Sequence, residues 1–380
     1  MRIIIIVPSF PLNISDVKGG VNSAIINLLH GFEKFNIDVR IISFTKEVNE
    51  ITVIPFSNKI EFHYEPEGLF PFHSLNYLFF GPGILKRHIK SFKADIIHYQ
   101  TGNTMMFTRI LGVLQKKIIL TIHSFAFQEL KTKTSIKDKI TWWYNGTVNE
   151  MLKSPNVIYI SDLSKEQHFS KKVKHHSIIP NAIRSDYFDV KMKPKTSNKL
   201  IYVGVINNRK NIYTLLNTLK SLIQNGIYFT LDVIGDFTDE EYRNKILTFV
   251  NNNDLDNYVT FKGWISQDKL LGIMADVDIL VLSSFQETLP MVIAEFMSAG
   301  KVIVSSDVGG IPEMIKDKND GFLFNLKEPD QLVNILESLY NNDELISFIS
   351  TNAKQSASKK YLCENVAKKT IEFYNECIVG

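Results

Sequence analysis

Short β-rich runs alternate with helical patterns twice along this chain, and that repeated alternation restricts the fold more than any other feature of its 380 residues. The first set of runs lies at residues 3–7, 38–44, 95–100, 117–123 and 156–161, with helical stretches such as VNSAIINLLHGFEKF between several of them. A second set follows at 199–205, 228–236, 258–265, 278–284 and 301–307. Strands that alternate with helices imply a parallel, doubly wound sheet. Two such sets predict two α/β domains, each binding ligands in the crevice beyond the carboxyl ends of its strands. The predicted boundaries are a first domain over 1–185, a Lys-, Pro- and Ser-rich linker over 186–198, a second domain over 199–360, and a closing amphipathic helix over 361–380 that is free to cross back to the first domain.

Composition narrows the function classes. With 44% hydrophobic and 22% charged residues the chain is an ordinary globular protein. Cys363 and Cys377 provide neither a disulfide framework nor metal-ligand spacing, so a reducing cytoplasm is the expected location. MRIIIIVPSF is closed by Pro8 and reads as a buried strand, not as a signal peptide, and no apolar run approaches the roughly 18 residues that span a bilayer. Residues 1–180 carry 22 Lys and Arg against 14 Asp and Glu, the remainder 21 against 26. The first half is therefore the basic one. Its basic residues show no aromatic stacking motif, which argues against nucleic acid. Residues 62–92 combine aromatics with Lys86, Arg87, His88 and Lys90, either as part of the core or as a surface for the inner face of a membrane or a lipid-linked acceptor.

Within the second set, the strand at 278–284 leads through a polar loop carrying Glu287 into a helix carrying Glu295. Pro290 suits a helix start, and Val292, Ile293, Phe296 and Met297 form an apolar stripe that leaves Glu295 on another face. The two acids then lie about 10 Å apart at 1.5 Å per helical residue, with a helix N-terminus between them that attracts phosphate. Two acceptors flanking an anion site match a molecule with hydroxyls at both ends and phosphates in the middle, such as a nucleotide-sugar. A helix cap and a solvated surface acid are the plain alternative. In the first set, Gly19 and Gly20 before a helix mark either a phosphate cradle or an ordinary turn, and no G-x-G-x-x-G pattern of a nicotinamide enzyme occurs. His123 ends a strand, where side chains reach the crevice or sit half-buried; His98 has a similar position.

Taken together, these segments resemble the retaining glycosyltransferases of family 4, which have the GT-B fold of two Rossmann-like domains facing across a cleft. The resemblance spans nearly the whole chain. It is carried by Gly19 and Gly20, TIH ending at His123, IPNAI at 179–183, YVGVINNRKN at 202–211, VIGD at 233–236, FKGW at 261–264, ETLPMVIAE at 287–295 and SDVGGIPEMI at 306–315. It implies that Glu287 holds hydroxyls of the donor sugar and Glu295 the ribose, while the backbone of Thr288, Leu289 and Pro290 lies along the sugar and diphosphate. Lys210 would neutralise the departing diphosphate and Ile265 would meet the base. Gly20 would approach the diphosphate, with His123 near the anomeric centre. Family members often carry Arg where this chain has Val205, Gly where it has Thr288, and PNG where it has Pro180, Asn181 and Ala182; Arg209 stands beside Lys210.

The function so implied is transfer of one sugar, with retention, from a UDP-linked donor to a saccharide or lipid-linked acceptor in surface polysaccharide assembly. No Asp-x-Asp element is read as one that would bring a divalent ion to the phosphates, so no metal or other cofactor is expected. Two other classes share the fold: a non-catalytic partner subunit, and a sugar-nucleotide epimerase.

Overall fold

The computed structural model describes the chain apart from residues 8–9, 15–16, 18, 68–72, 101–117, 124–155, 168–172, 192–197 and 380; at 73–80 and 329 it describes the backbone alone. The described residues fall into two compact units, Met1–Ala182 with Cys363–Gly380, and Ile183–Leu362. The change of unit at residue 182 comes earlier than the linker expected over 186–198. The reason is Tyr187, which sits in a 3-10 turn, Ser185–Asp189, and is fully buried in the core of the second unit. Residues 192–197 of the expected linker lie outside the described residues.

The first unit is built on strands β1 (Arg2–Val7), β2 (Asp38–Thr45), β3 (Thr52–Ser57), β4 (Ile60–Pro66), β5 (Ile96–Tyr99), β6 (Ile118–Ile122), β7 (Asn156–Tyr159) and β8 (His175–Ile178). Their order is β3-β4-β2-β1-β5-β6-β7-β8, parallel throughout except for the antiparallel edge pair β3–β4. Among the described residues, its helices before the change of unit are α1 (Gly20–Phe32), α2 (His73–Phe92) and α3 (Asp162–Glu166). The second unit has β9 (Lys199–Val203), β10 (Thr230–Ile234), β11 (Val259–Gly263), β12 (Ile279–Leu282), β13 (Val302–Ser306) and β14 (Phe322–Phe324) in the all-parallel order β11-β10-β9-β12-β13-β14. Around it lie α4 (Ile212–Gln224), α5 (Glu240–Asn252), α6 (Gln267–Met274), α7 (Met291–Ser298), α8 (Ile311–Met314), α9 (Pro329–Leu339) and α10 (Asp343–Tyr361). The last helix, α11 (Cys363–Val379), belongs to the first unit.

The composition of each element explains its place. Ile3, Ile4, Ile5 and Val7 of β1 have no exposed surface, as a central strand covered on both faces requires. Helix α4 buries Ile212, Leu215, Leu216, Leu219 and Leu222, one apolar stripe at helical spacing. The hairpin β3–β4 escaped sequence reading because Pro55 interrupts its first strand, and proline is tolerated in a sheet only at an edge. Helix α11 lies across α1 at Gly31, where a Cβ would stand 2.3 Å from the carbonyl oxygen of Cys363. That close approach admits only glycine.

In each sheet the winding reverses at one place, between β1 and β5 in the first unit and between β9 and β12 in the second. The crevice at such a reversal, beyond the carboxyl ends of the strands, is where a doubly wound sheet takes its ligand. Of the four basic residues read on α2, only His88 is buried; it bonds Glu65 of β4 at 2.7 Å, and Arg87 reaches the same carboxylate at 2.6 Å from an exposed position. Lys86 and Lys90 remain exposed. Among the described residues no helix is long and apolar enough to cross a membrane.

Candidate active site

The second unit places its polar groups at the winding reversal. After β9 the chain passes Gly204 and forms a single 3-10 turn, Asn208–Lys210, capped by the Asn207 side chain, which accepts the Lys210 N–H at 3.1 Å. Asn211 follows with φ of 52°, a left-handed conformation that asparagine tolerates better than most residues. After β12 the loop carries Ser283, Ser284 and Glu287. The two loops are tied to each other: Ser283 Oγ donates to the Asn211 carbonyl at 2.7 Å, and the Phe285 N–H to the Arg209 carbonyl at 2.9 Å. A third loop braces them from below. Ser306 Oγ donates to the Ser284 carbonyl at 2.7 Å. Gly309, at φ of 59°, comes so close that a Cβ there would lie 1.8 Å from the Glu287 carbonyl oxygen.

Glu287, expected from its spacing and 7% exposed, is the centre of this arrangement. Its Oε1 accepts from Lys210 Nζ at 2.5 Å and from Ser284 Oγ at 2.6 Å, while Arg209 Nη1 stands 3.8 Å from Oε2 and donates to the Gln286 carbonyl at 3.0 Å. Sequence reasoning paired Lys210 with the two glutamates through the resemblance alone; the structure gathers the half-buried Lys210 and Arg209 around the buried Glu287. It missed Ser284, whose only signal was its place directly after an apolar strand.

Glu295 differs from the surface acid that the plain alternative allowed. It lies in α7, which starts at Met291 with Pro290 as its N-cap, and every residue from Ile293 to Ser298 is buried. At 6% exposure its carboxyl makes no hydrogen bond or ion pair among the described residues, and burial pushes its pKa up to about 7, opposed by the charge of Arg184. Arg184 itself is held by Asp186 at 2.8 Å and Asp268 at 3.1 Å. Thr288 and Leu289 are half-buried beside Glu287. Ile265 follows β11 on the same carboxyl edge, two strands from β9, and packs on the core of its unit; the Trp264 N–H before it donates to Asp236 Oδ1 at 3.0 Å.

In the first unit, Gly19 is the N-cap of α1 with φ of 86° and open space where a side chain would be, and Gly20 is exposed as the first helical residue. No acidic side chain occupies that first turn. His123, just past β6, donates from Nε2 to Gln100 Oε1 at 2.8 Å. Its Nδ1 is buried without a hydrogen-bond partner among the described residues, and burial lowers its pKa to about 4, with Asn181 opposing the shift. The imidazole is therefore neutral, and with His98, Gln100, Thr121 and Asn181 it lines a cavity of about 30 Å³, the room of a single water. His98 has a different duty. Its two ring nitrogens contact Tyr374 Oη of α11 and Thr121 Oγ1, both at 2.6 Å, and burial lowers its pKa to about 3. It locks the last helix to the sheet.

Two family models together match residues 18–356: Glycosyltransferase Family 4 over residues 18–187 and Glycosyl transferases group 1 over 183–356. The chain belongs to the family 4 glycosyltransferases. Its curated relatives include an uncharacterized glycosyltransferase of Methanocaldococcus jannaschii, 28% identical over 80% of this chain and 82% of that protein. Another is the UDP-Gal:alpha-D-GlcNAc-diphosphoundecaprenol alpha-1,3-galactosyltransferase of Escherichia coli, 23% identical over 78% and 79%. Among solved structures, sucrose-phosphate synthase from Thermosynechococcus elongatus superimposes with a TM-score of 0.80 at 18% identity, covering 100% of this glycosyltransferase and 99% of that chain. At that identity the likeness speaks for the fold, which is GT-B: two Rossmann-like units, as the sequence led one to expect.

Proposed function

We propose that this glycosyltransferase moves one sugar, with retention of anomeric configuration, from a UDP-linked donor to a saccharide or lipid-linked acceptor in surface polysaccharide assembly. The observation that carries the reading is the pairing of Lys210 with the buried Glu287 at the winding reversal of the second sheet. A carboxylate there accepts hydrogen bonds from sugar hydroxyls. Lys210 and Arg209, with the N-terminus of α7 after Pro290, supply positive charge for the diphosphate. Thr288, Leu289 and Pro290 offer backbone alongside it. The unpartnered, buried Glu295 is suited to a ribose hydroxyl, and Ile265 to a base. Within the first unit, the turn at Gly19 and Gly20 takes an anion on backbone N–H groups, and His123, just past β6, stands near the anomeric centre. The E. coli relative, named for a UDP-sugar and a diphosphoundecaprenol-linked acceptor, supports both substrate classes. Exposed Lys86 and Lys90 support peripheral contact with the cytoplasmic face of a membrane.

The barrier lies in departure of a nucleoside diphosphate that carries new negative charge, and fixed positive groups matched to that charge lower it. Lys210 and Arg209 do this without a metal ion. The leaving phosphate takes the acceptor's proton as the acceptor attacks from the same face. Release of UDP from a panel of UDP-sugars tests the reading. Glu287→Ala and Lys210→Ala are each expected to slow release by about 100-fold or more, the cost of one preorganised transition-state contact. Wild-type rates in both variants would overturn the site, and an isomeric nucleotide-sugar as the product without acceptor would mark an epimerase instead.

A further inference from the structure

Glu287 is held unevenly. An ionised carboxylate offers about four lone-pair sites. Both sites of Oε1 are filled, by Lys210 Nζ at 2.5 Å and Ser284 Oγ at 2.6 Å, whereas Oε2 has only the 3.8 Å approach of Arg209. The two partners of Oε1 differ in stiffness. Lys210 is a point charge on a flexible four-carbon stem that can follow the carboxylate as it pivots. Ser284 cannot: it has no exposed surface, directly follows β12, and is pinned through its own carbonyl by Ser306 Oγ at 2.7 Å, with Ser283 beside it bonded to the Asn211 carbonyl. The Glu287 backbone is fixed as well, its carbonyl lying against Gly309.

We propose that Ser284 is a positioning residue for donor recognition: its buried hydroxyl fixes the plane of the Glu287 carboxylate so that Oε2 is the edge presented to the donor sugar's hydroxyls. The inference rests on the donor-site reading given above and deepens it to one atom. Ser284 touches no substrate. It acts by removing the freedom of a group that does, and preorganised acceptors gain their advantage from such fixed supports.

The test compares affinity for UDP, which lacks the sugar, with affinity for UDP-glucose, UDP-galactose and UDP-N-acetylglucosamine, by calorimetry on the full chain. In the wild type the sugar adds affinity for at least one of the three. Ser284→Ala is expected to leave UDP binding unchanged and to cut that added affinity about tenfold, the size of a lost hydrogen bond to a charged group. Ser284→Cys, which keeps the shape and weakens the donor, gives a smaller loss of the same kind and serves where the alanine variant folds poorly. In a Glu287→Gln background the effect of Ser284→Ala disappears, since coupled residues are not additive. Equal weakening of UDP and UDP-sugar by Ser284→Ala, or a loss that persists in full in the Glu287→Gln background, would show Ser284 to be merely structural. Failure of the donor reading looks different: the wild type then binds no UDP, or binds UDP-sugars no more tightly than UDP.

Discussion

At the carboxyl edge of the second unit's sheet a buried carboxylate, Glu287, is met by Lys210 and approached by Arg209; at the same edge of the first unit's sheet an imidazole, His123, meets the amides of Gln100 and Asn181 and no charged group among the described residues. Both edges are the ligand-binding side of a doubly wound sheet, yet one is charged and the other neutral. Burial accounts for the difference. A group without a charged partner loses its charge when water is removed, whereas a group with one keeps it. His98 and His123 are therefore neutral near pH 7, with pKa values lowered to about 3 and about 4. Glu295, buried without a bonded cation, is driven the other way, to about 7. Paired groups suit a ligand whose charge must be matched, and neutral acceptors suit hydroxyls.

The sharpest way to break this comparison is through the backbone that supports the charged edge. Gly309→Ala forces a Cβ into the Glu287 carbonyl at a left-handed φ, and combined overpacking and backbone strain should cost about 4 kcal/mol in urea unfolding of the second unit. Gly19→Ala has a positive φ too but open space around it, so it should cost only about 1 kcal/mol; similar losses at both sites would refute the steric account. Next in size, His98→Ala leaves the Tyr374 and Thr121 hydroxyls buried without their partner. About 3 kcal/mol of stability should go, seen first as faster amide exchange in α11 and β5, with the second unit unaffected.

The two edges should also respond oppositely to pH. Glu295 has a folded pKa near 7, above the 4.5 of an ordinary Glu. Its contribution is fully present below pH 4.5 and is lost as pH rises through 7. Glu295→Gln should thus stabilise the second unit at pH 8 relative to pH 5, by up to about 3 kcal/mol for a shift of this size. His98 and His123, with lowered pKa values, make the first unit lose stability as pH falls below 6.5 toward 4. Amide exchange followed separately in α7 and in β5–β6 at pH 5 and pH 8 checks both signs, and parallel behaviour of the two units would sink the contrast.

Much of this was legible in the residues. The alternating apolar runs named β1, β2, β5, β6 and β7 and all the main strands of the second sheet, because a central parallel strand must be apolar on both faces and cannot be mistaken for an amphipathic one. Glu287 and Glu295 stood out by their spacing around a helix start. The edge hairpin did not, since Pro55 in β3 and the Glu and His residues in β4 mimic a loop. Nor did the burial of His88 against Glu65, for a basic helix looks the same in sequence whether its side chains meet water or a buried acid.

By itself, then, the sequence determined the two doubly wound sheets and which acids and bases stand at strand ends. These follow from periodicity and from local chain geometry, which act over a few residues. Only the tertiary structure decided that Glu287 is clasped by Lys210, 77 residues away, that Ser284 supports it from within the core, that Glu295 is buried without a bonded partner, and that the last helix returns to the first unit to be held by His98. Each depends on contacts distant in the chain and on how much water those contacts exclude, and desolvation cannot be read from a residue's neighbours in sequence.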